Sequence, residues 1–288
     1  MTMLSRNEAG VRNKQCALYV WSFLSCATSA FDHESRLKFV KSFRIKLFFV
    51  GKQKAIFSWS GGKDSTLCLH YVLQLNTYDI QFLLTSVNGN LKRVSMHGIH
   101  ESLLETQAKS IGLPLKKVYV YEASNKEYER EMEKVLLEAK SEGIDTVIFG
   151  DIFLDDLRKY REEKLALVAM KAVFPLWKKN TKLLISEFLT LGYKTVICCG
   201  NDAYLNKEDV GKIIDQKFID DLANDIDPCG ENGEYHTYCY EGAIFKFPID
   251  IEVGDKIYKP LDLLHQGADK NGKTTRGFWY ADIKLKQT

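Results

Sequence analysis

The segment that most constrains this chain is residues 55–65. The apolar run Ala55-Ile56-Phe57-Ser58-Trp59 breaks into Ser60-Gly61-Gly62-Lys63-Asp64-Ser65, after which Leu67, Leu69, Val72 and Leu73 recur at helical spacing. A strand that turns this tightly into a helix is built to hold an anion. Glycines let backbone N–H groups come close, Ser60 and Ser65 add hydroxyl donors, and the helix N-terminus adds partial positive charge. Lys63 has the reach to meet a phosphate oxygen. Asp64 would repel phosphate unless a cation bridged the two, which makes it a candidate Mg²⁺ ligand; capping the helix is its alternative role. The spacing is neither the G-x-x-x-x-G-K-S/T loop nor a dinucleotide fingerprint.

The alternation continues downstream. Phe82–Val87 reads as a strand, about His100 to Ile111 as a helix closed by Gly112 and Pro114, and Val118–Tyr121 as a third strand. Lys126–Glu142 carries Met132, Val135, Leu136 and Ala139 on one helical face, Gly143 stops it, and Thr146–Phe149 is a fourth strand. This order predicts an α/β fold with a parallel, Rossmann-like sheet whose ligands bind beyond the carboxyl ends of the strands. Two turns fall at that edge, Ser60 to Ser65 and Gly150-Asp151. The pattern breaks at Phe174-Pro175-Leu176-Trp177, then resumes as a helix (181–191) and a strand (195–199), with a strand-rich stretch from Glu241 to Leu285. The expected division is 51–175 for a nucleotide domain and 176–288 for a smaller C-terminal α+β domain.

Lys and Arg number 40 against 38 Asp and Glu, a formal net charge of +2, so no global field draws a polyanion and nucleic acid is disfavoured as a partner. A small anion such as ATP needs only a local site. The seven cysteines form no C-x-x-C pair, which argues against a zinc knuckle or a disulfide scaffold and for reduced core thiols. Residues 1–50 differ from the rest: a basic start precedes an apolar run from Cys16 to Phe31 that superficially matches a signal peptide. The run is short of the roughly 20 residues that span a bilayer. Export would also part an ATP-using enzyme from its substrate. Residues 1–50 are therefore read as a poorly structured extension and the protein as cytoplasmic, without membrane attachment.

Taken together, the motifs resemble a known family. Ser60 to Ser65 resembles the S-G-G-x-D-S signature of the PP-loop ATP-pyrophosphatases, HUP-like α/β enzymes that cleave ATP between its α- and β-phosphates. Ser95-Met96-His97, Gln107-Ala108, Gly150-Asp151-Ile152 with Arg158 and Arg161, Pro175-Leu176-Trp177, and Gly230-Glu231-Asn232-Gly233-Glu234-Tyr235-His236-Thr237 follow the order of the diphthine-ammonia ligase family. The likeness runs from about Lys54 to Phe247. It implies ATP and Mg²⁺ as cofactors, adenylation of a carboxylate on a free or protein-borne substrate, and displacement of AMP by ammonium-derived ammonia; a homo-oligomer stays open. The last motif departs from the usual G-E-G-G-E-Y-E-T at Asn232 and His236, so the likeness bears on the reaction type more than on diphthine. A PP-loop tRNA-modifying enzyme and a non-catalytic nucleotide-binding protein are the alternatives.

Roles can then be assigned, each beside a plainer one. Ser60, Gly61, Gly62, Lys63, Asp64 and Ser65 bind the triphosphate, with Lys63 and Asp64 also catalytic. Glu231 and Glu234 orient a cation, hold ammonium or take a proton from the amine, or else form a solvated acidic turn. His236 is a base, a substrate contact or a structural histidine. The resemblance puts His97 in the nucleotide pocket; pairing it with His100 on a metal lacks a third ligand. Gly150 and Asp151 lie at the strand's carboxyl end, where Asp151 meets Mg²⁺ or substrate, or caps the next segment. Arg161 is an anion ligand by family position and a surface ion-pair partner by its charged neighbourhood.

Overall fold

The computed structural model describes residues 51–122, 124–262, 267–268 and 272–286. The readings made on residues 1–50 lie outside them. Residues 52–288 form one compact unit. Its strands are β1 (Gln53–Ser58), β2 (Tyr78–Asn88), β3 (Arg93–Val94), β4 (Leu115–Val120), β5 (Thr146–Ile148), β6 (Lys171–Val173), β7 (Lys194–Asn201), β8 (Tyr235–Glu241), β9 (Ile251–Pro260), β10 (Gly267–Ala268), β11 (Thr274–Thr275) and β12 (Gly277–Leu285). The helices, renumbered here in chain order, are α1 (Lys63–Leu75), α2 (Glu101–Ile111), α3 (Asn125–Ser141), α4 (Asp155–Leu167), α5 (Thr181–Thr190) and the short α6 (Gln216–Asp220).

The first sheet runs β3-β2-β1-β5-β6, with β4 also paired to β2. All its pairings are parallel except β2 with β3. The expected parallel α/β architecture is therefore present. β1 is central and both of its faces are covered: Ile56 packs on one side with Leu84, Val118, Leu136, Val147 and Leu165, while Ala55 and Phe57 pack on the other with Leu69, Leu103 and Leu104. Local signals set the helix limits. Ser124 and Asn180 cap α3 and α5 by accepting from Glu127 N and Leu183 N, and Gly112 closes α2 in the left-handed region at φ 85°.

The second sheet, β8-β7-β12-β9, is antiparallel throughout. This matches the smaller, strand-rich C-terminal part read from the sequence. The two sheets share a core: Val196, Ile197, Tyr238 and Cys239 pack in the same cluster as Phe57, Leu69 and Leu104. A fully buried side chain of this size contributes roughly 1.5–3 kcal/mol, so this common core holds β8 firmly against the first sheet. Its position matters because β8 lies on the turn that follows β1. No helix among the described residues is long and apolar enough to cross a membrane.

Candidate functional site

In register, Phe57 of β1 stands beside Leu83 of β2 and Ile148 of β5. The turns leaving β1 and β5 therefore emerge side by side at the carboxyl edge of the sheet. They open into a cavity of about 700 Å³, lined among others by Ser60, Asp64, His97, Asp151, Glu231 and His236. Segments distant in sequence thus meet at one place.

Close backbone approach explains the glycines. Gly61 has φ 80°, and a Cβ there would sit 2.5 Å from Leu104 Cδ2 and 2.7 Å from Gln107 Oε1. A Cβ on Gly62 would lie 3.0 Å from both His97 Cε1 and the Thr237 carbonyl oxygen, and one on Gly150 would lie 3.1 Å from Ser65 N. The turn is also tied down. Gln107 Nε2 donates to the carbonyls of Gly61 (2.9 Å) and Cys239 (2.6 Å), and Gln107 Oε1 accepts from Trp59 Nε1 (2.9 Å). Cys239 N donates to Gly61 O at 2.9 Å, and Lys63 N to Thr237 Oγ1 at 3.0 Å. Ser60 Oγ and Ser65 Oγ are 3.1 Å apart. Gly62 is the N-cap residue of α1, which puts Asp64 in the first turn and not at the cap position.

Lys63 lines the cavity and also holds the loop. Its ammonium is buried and donates to Asp64 Oδ2 at 2.7 Å and to the Cys229 carbonyl, with the Tyr235 ring 5.3 Å away. It thereby ties the turn to the loop before β8. Burial alone would lower its pKa, but the Asp64 carboxylate 2.7 Å away leads the interactions that more than offset this.

Asp64, Asp151 and Glu231 face the same space. Glu231 is pushed up to about 8, by burial first and by the Asp64 charge second. Asp151 is raised too, mainly by burial, against the pull of Arg161. Arg161 Nη2 donates to Asp151 Oδ1 at 3.2 Å, its Nε lies 3.0 Å from Oδ2, and its guanidinium stacks 4.2 Å over Phe149. The capping alternative for Asp151 is excluded, since the N-cap of α4 is Leu154; Asp151 pairs with Arg161 and lines the cavity. Arg158 lies elsewhere, paired with Glu162 and stacked on Phe174 and Trp177.

Glu234 is brought close in sequence but not into the cavity. Fully buried, its carboxylate accepts from Asp227 N (3.0 Å), Asn232 N (2.8 Å) and Asn232 Nδ2 (3.0 Å). It organises the loop and leaves Glu231 as the acidic residue of this motif that faces the space. His97 and His236, 139 residues apart by number, lie against each other with ring centroids 4.8 Å apart and planes tilted by 36°. Burial lowers both, His97 to about 4. His100 is not with them; it caps α2 by accepting from Ser102 N.

No group of three or more metal-ligating side chains is close enough to enclose an ion among the described residues. Mg²⁺ fits the site nonetheless, since it commonly takes one or two carboxylates together with phosphate oxygens and water. Partly buried carboxylates, raised first by burial, are suitable donors for it. The sequence reading missed two contributors. Gln107 and Thr237 carry no charge to mark them, and only their place in the quoted motifs distinguished them. In the cavity wall, Tyr128 and Met132 of α3 fall in a segment read as an amphipathic helix, and Leu157 and Tyr160 of α4 in a charged run read for its ion pairs.

Two family models match the chain, one described as the diphthamide synthase N-terminal domain over residues 53–171 and one as the diphthamide synthase C-terminal domain over residues 180–267. No curated protein matches it. Among solved structures, the U34-tRNA thiolase NcsA from Methanococcus maripaludis with its 4Fe-4S cluster is similar at 20% identity, with a TM-score of 0.32, over 49% of this chain and 58% of that one.

Proposed function

Because this chain belongs to the diphthamide synthase family, within the PP-loop superfamily, we propose that it is an ATP-dependent amide ligase. A carboxylate oxygen of the acceptor attacks the α-phosphorus, the bond from that phosphorus to the bridging oxygen breaks, and pyrophosphate leaves. Ammonia then attacks the acyl carbon of the adenylate, the carbon–oxygen bond to AMP breaks, and the amine sheds one proton.

The observation that supports this reading best is the convergence of the glycine turn with Asp64, Asp151 and Glu231 on one cavity. In the proposal the backbone of Gly61 and Gly62 and the hydroxyls of Ser60 and Ser65 hold the phosphates at the N-terminus of α1. Lys63 keeps the turn in place. Asp64 would hold Mg²⁺, which supplies charge neutralisation on the triphosphate when bound. Glu231, whose side chain lines the cavity, is placed to receive the proton shed by the amine once ionised. Asp151 and Arg161 form the wall beyond Gly150. Residues 51–175 serve as the ATP-binding part and 176–288 as the substrate-binding part, with ATP, ammonium and a carboxylate-bearing molecule as partners in the cytoplasm.

The test is ATP–pyrophosphate exchange with cell fractions as acceptor. Exchange stimulated by a carboxylate-bearing metabolite or protein fraction supports the ligase. Stimulation by bulk tRNA alone would overturn it in favour of tRNA modification.

A further inference from the structure

Gln107 meets the glycine turn through a carboxamide whose two ends cannot be exchanged. Its Nε2 donates to the carbonyl oxygens of Gly61 at 2.9 Å and Cys239 at 2.6 Å, and carbonyls only accept; its Oε1 accepts from the Trp59 indole N–H at 2.9 Å, which only donates. The side chain is fully buried on α2, so these bonds are made away from water. The Gly61 carbonyl also accepts from Cys239 N at 2.9 Å, which engages both of its lone pairs.

These contacts decide which way one peptide points. In a trans peptide the C=O and the N–H lie on opposite sides. With the Gly61 oxygen drawn toward α2 and β8, the Gly62 N–H is turned the other way, where it lies 3.3 Å from the hydroxyl of Ser60, a residue of the cavity wall. The turn's own hold on this orientation is slight. The Ser60 contact is long, and the bonds that rotate when the peptide flips belong to two residues without a Cβ, Gly61 standing in the left-handed region at φ 80°. A flipped peptide would present its carbonyl oxygen, the negative end of its dipole, to an anion in the cavity. The next amide does not compensate, since Lys63 N–H is engaged by Thr237 Oγ1 at 3.0 Å. We propose that Gln107 is a positioning residue for phosphate binding: from α2 it locks the Gly61–Gly62 peptide with its N–H toward the cavity. This rests on the reading of the turn as the phosphate site and adds to it the side chain that keeps the donor side of the turn facing the anion.

The experiment measures binding of inorganic pyrophosphate with Mg²⁺ to the full chain by calorimetry, and follows the Gly62 amide by nitrogen-15 NMR of glycine-labelled protein. Gln107→Met keeps the length of the side chain and removes the donor; Gln107→Glu sets a carboxylate against the Gly61 carbonyl. Leu103→Val, in the buried core of the same helix, removes no hydrogen bond to the turn and serves as the control. Pyrophosphate affinity should fall about three- to tenfold in Gln107→Met, as loss of one neutral hydrogen bond implies, and further in Gln107→Glu, while Leu103→Val binds as the wild type does. Before any ligand is added, the Gly62 amide signal of Gln107→Met should be displaced or doubled as a second peptide orientation becomes populated. Both readings are taken below the unfolding transition, so a loss of stability by itself does not move them, and Gln107→Met alone decides should Gln107→Glu not fold. Wild-type affinity in Gln107→Met with an unmoved Gly62 signal, or an equal loss of affinity in Leu103→Val, would overturn the lock while leaving the phosphate site in place. Absence of pyrophosphate binding by the wild type would overturn the phosphate reading itself, and the lock with it.

Discussion

The ammonium of Lys63 lies 2.7 Å from Asp64 Oδ2 and donates a second hydrogen bond to the Cys229 carbonyl, so one buried charge joins the turn after β1 to the loop before β8. Removing it leaves a carboxylate and a carbonyl without their partner in a buried setting. Lys63→Met should cost about 3–5 kcal/mol of stability, read from denaturant unfolding without nucleotide. A stability equal to that of the wild type, with only ATP affinity reduced, would mean that Lys63 serves the phosphates and not the loop.

Glu234 leads to a comparable expectation. Its carboxylate accepts from three nitrogens of its own loop, and Glu234→Gln would replace one accepting oxygen with an amide that faces a donor. The variant should lose about 1–3 kcal/mol and show faster hydrogen exchange across residues 227–235. Glu231→Gln should leave stability within about 1 kcal/mol of the wild type or raise it, because a carboxylate pushed up to about 8 is already unfavourable as a buried anion.

Gly61→Ala tests the geometry of the turn. It combines a left-handed backbone with a Cβ 2.5 Å from Leu104 Cδ2, and should cost about 2 kcal/mol or more. Thermal unfolding gives the measurement, and a neutral effect would contradict the close approach of α2 to the turn.

The histidines set a pH dependence. His97 is lowered from its usual 6.5 to about 4, so the unfolded chain binds a proton more readily than the folded one between those values. Stability then rises with pH through that window and is lost as pH falls from 6.5 toward 4, by about 2–3 kcal/mol for this one group. His97→Asn should flatten the acid limb of a stability-against-pH profile. A wild-type imidazole that titrates at its ordinary value by NMR would remove the effect.

Much of this was legible in the sequence where a local rule was sufficient. The turn from Ser60 to Ser65, the alternation that makes a parallel sheet, and Gly150-Asp151 at the carboxyl edge followed from periodicity and glycine placement. What local patterns do not encode is direction across the fold. Lys63 has the right charge for a phosphate, yet Asp64 and the Cys229 carbonyl, in the loop before β8, take its ammonium. Glu231 and Glu234 look equivalent in one short motif, and only the path of the loop turns one to the cavity and the other inward. The partnership of His97 and His236 depends on tertiary contact between the loop after β3 and strand β8, and no spacing signals it.

The most direct measurement is identification of the nucleotide product when the full chain is incubated with ATP, Mg²⁺, ammonium and a pool of cell metabolites and proteins. AMP with pyrophosphate from the wild type, and neither from Asp64→Asn at unchanged fold, is the predicted result. ADP with phosphate, no turnover with any supplement, or undiminished AMP formation by Asp64→Asn would contradict the assignment of this cavity as the site of α–β cleavage.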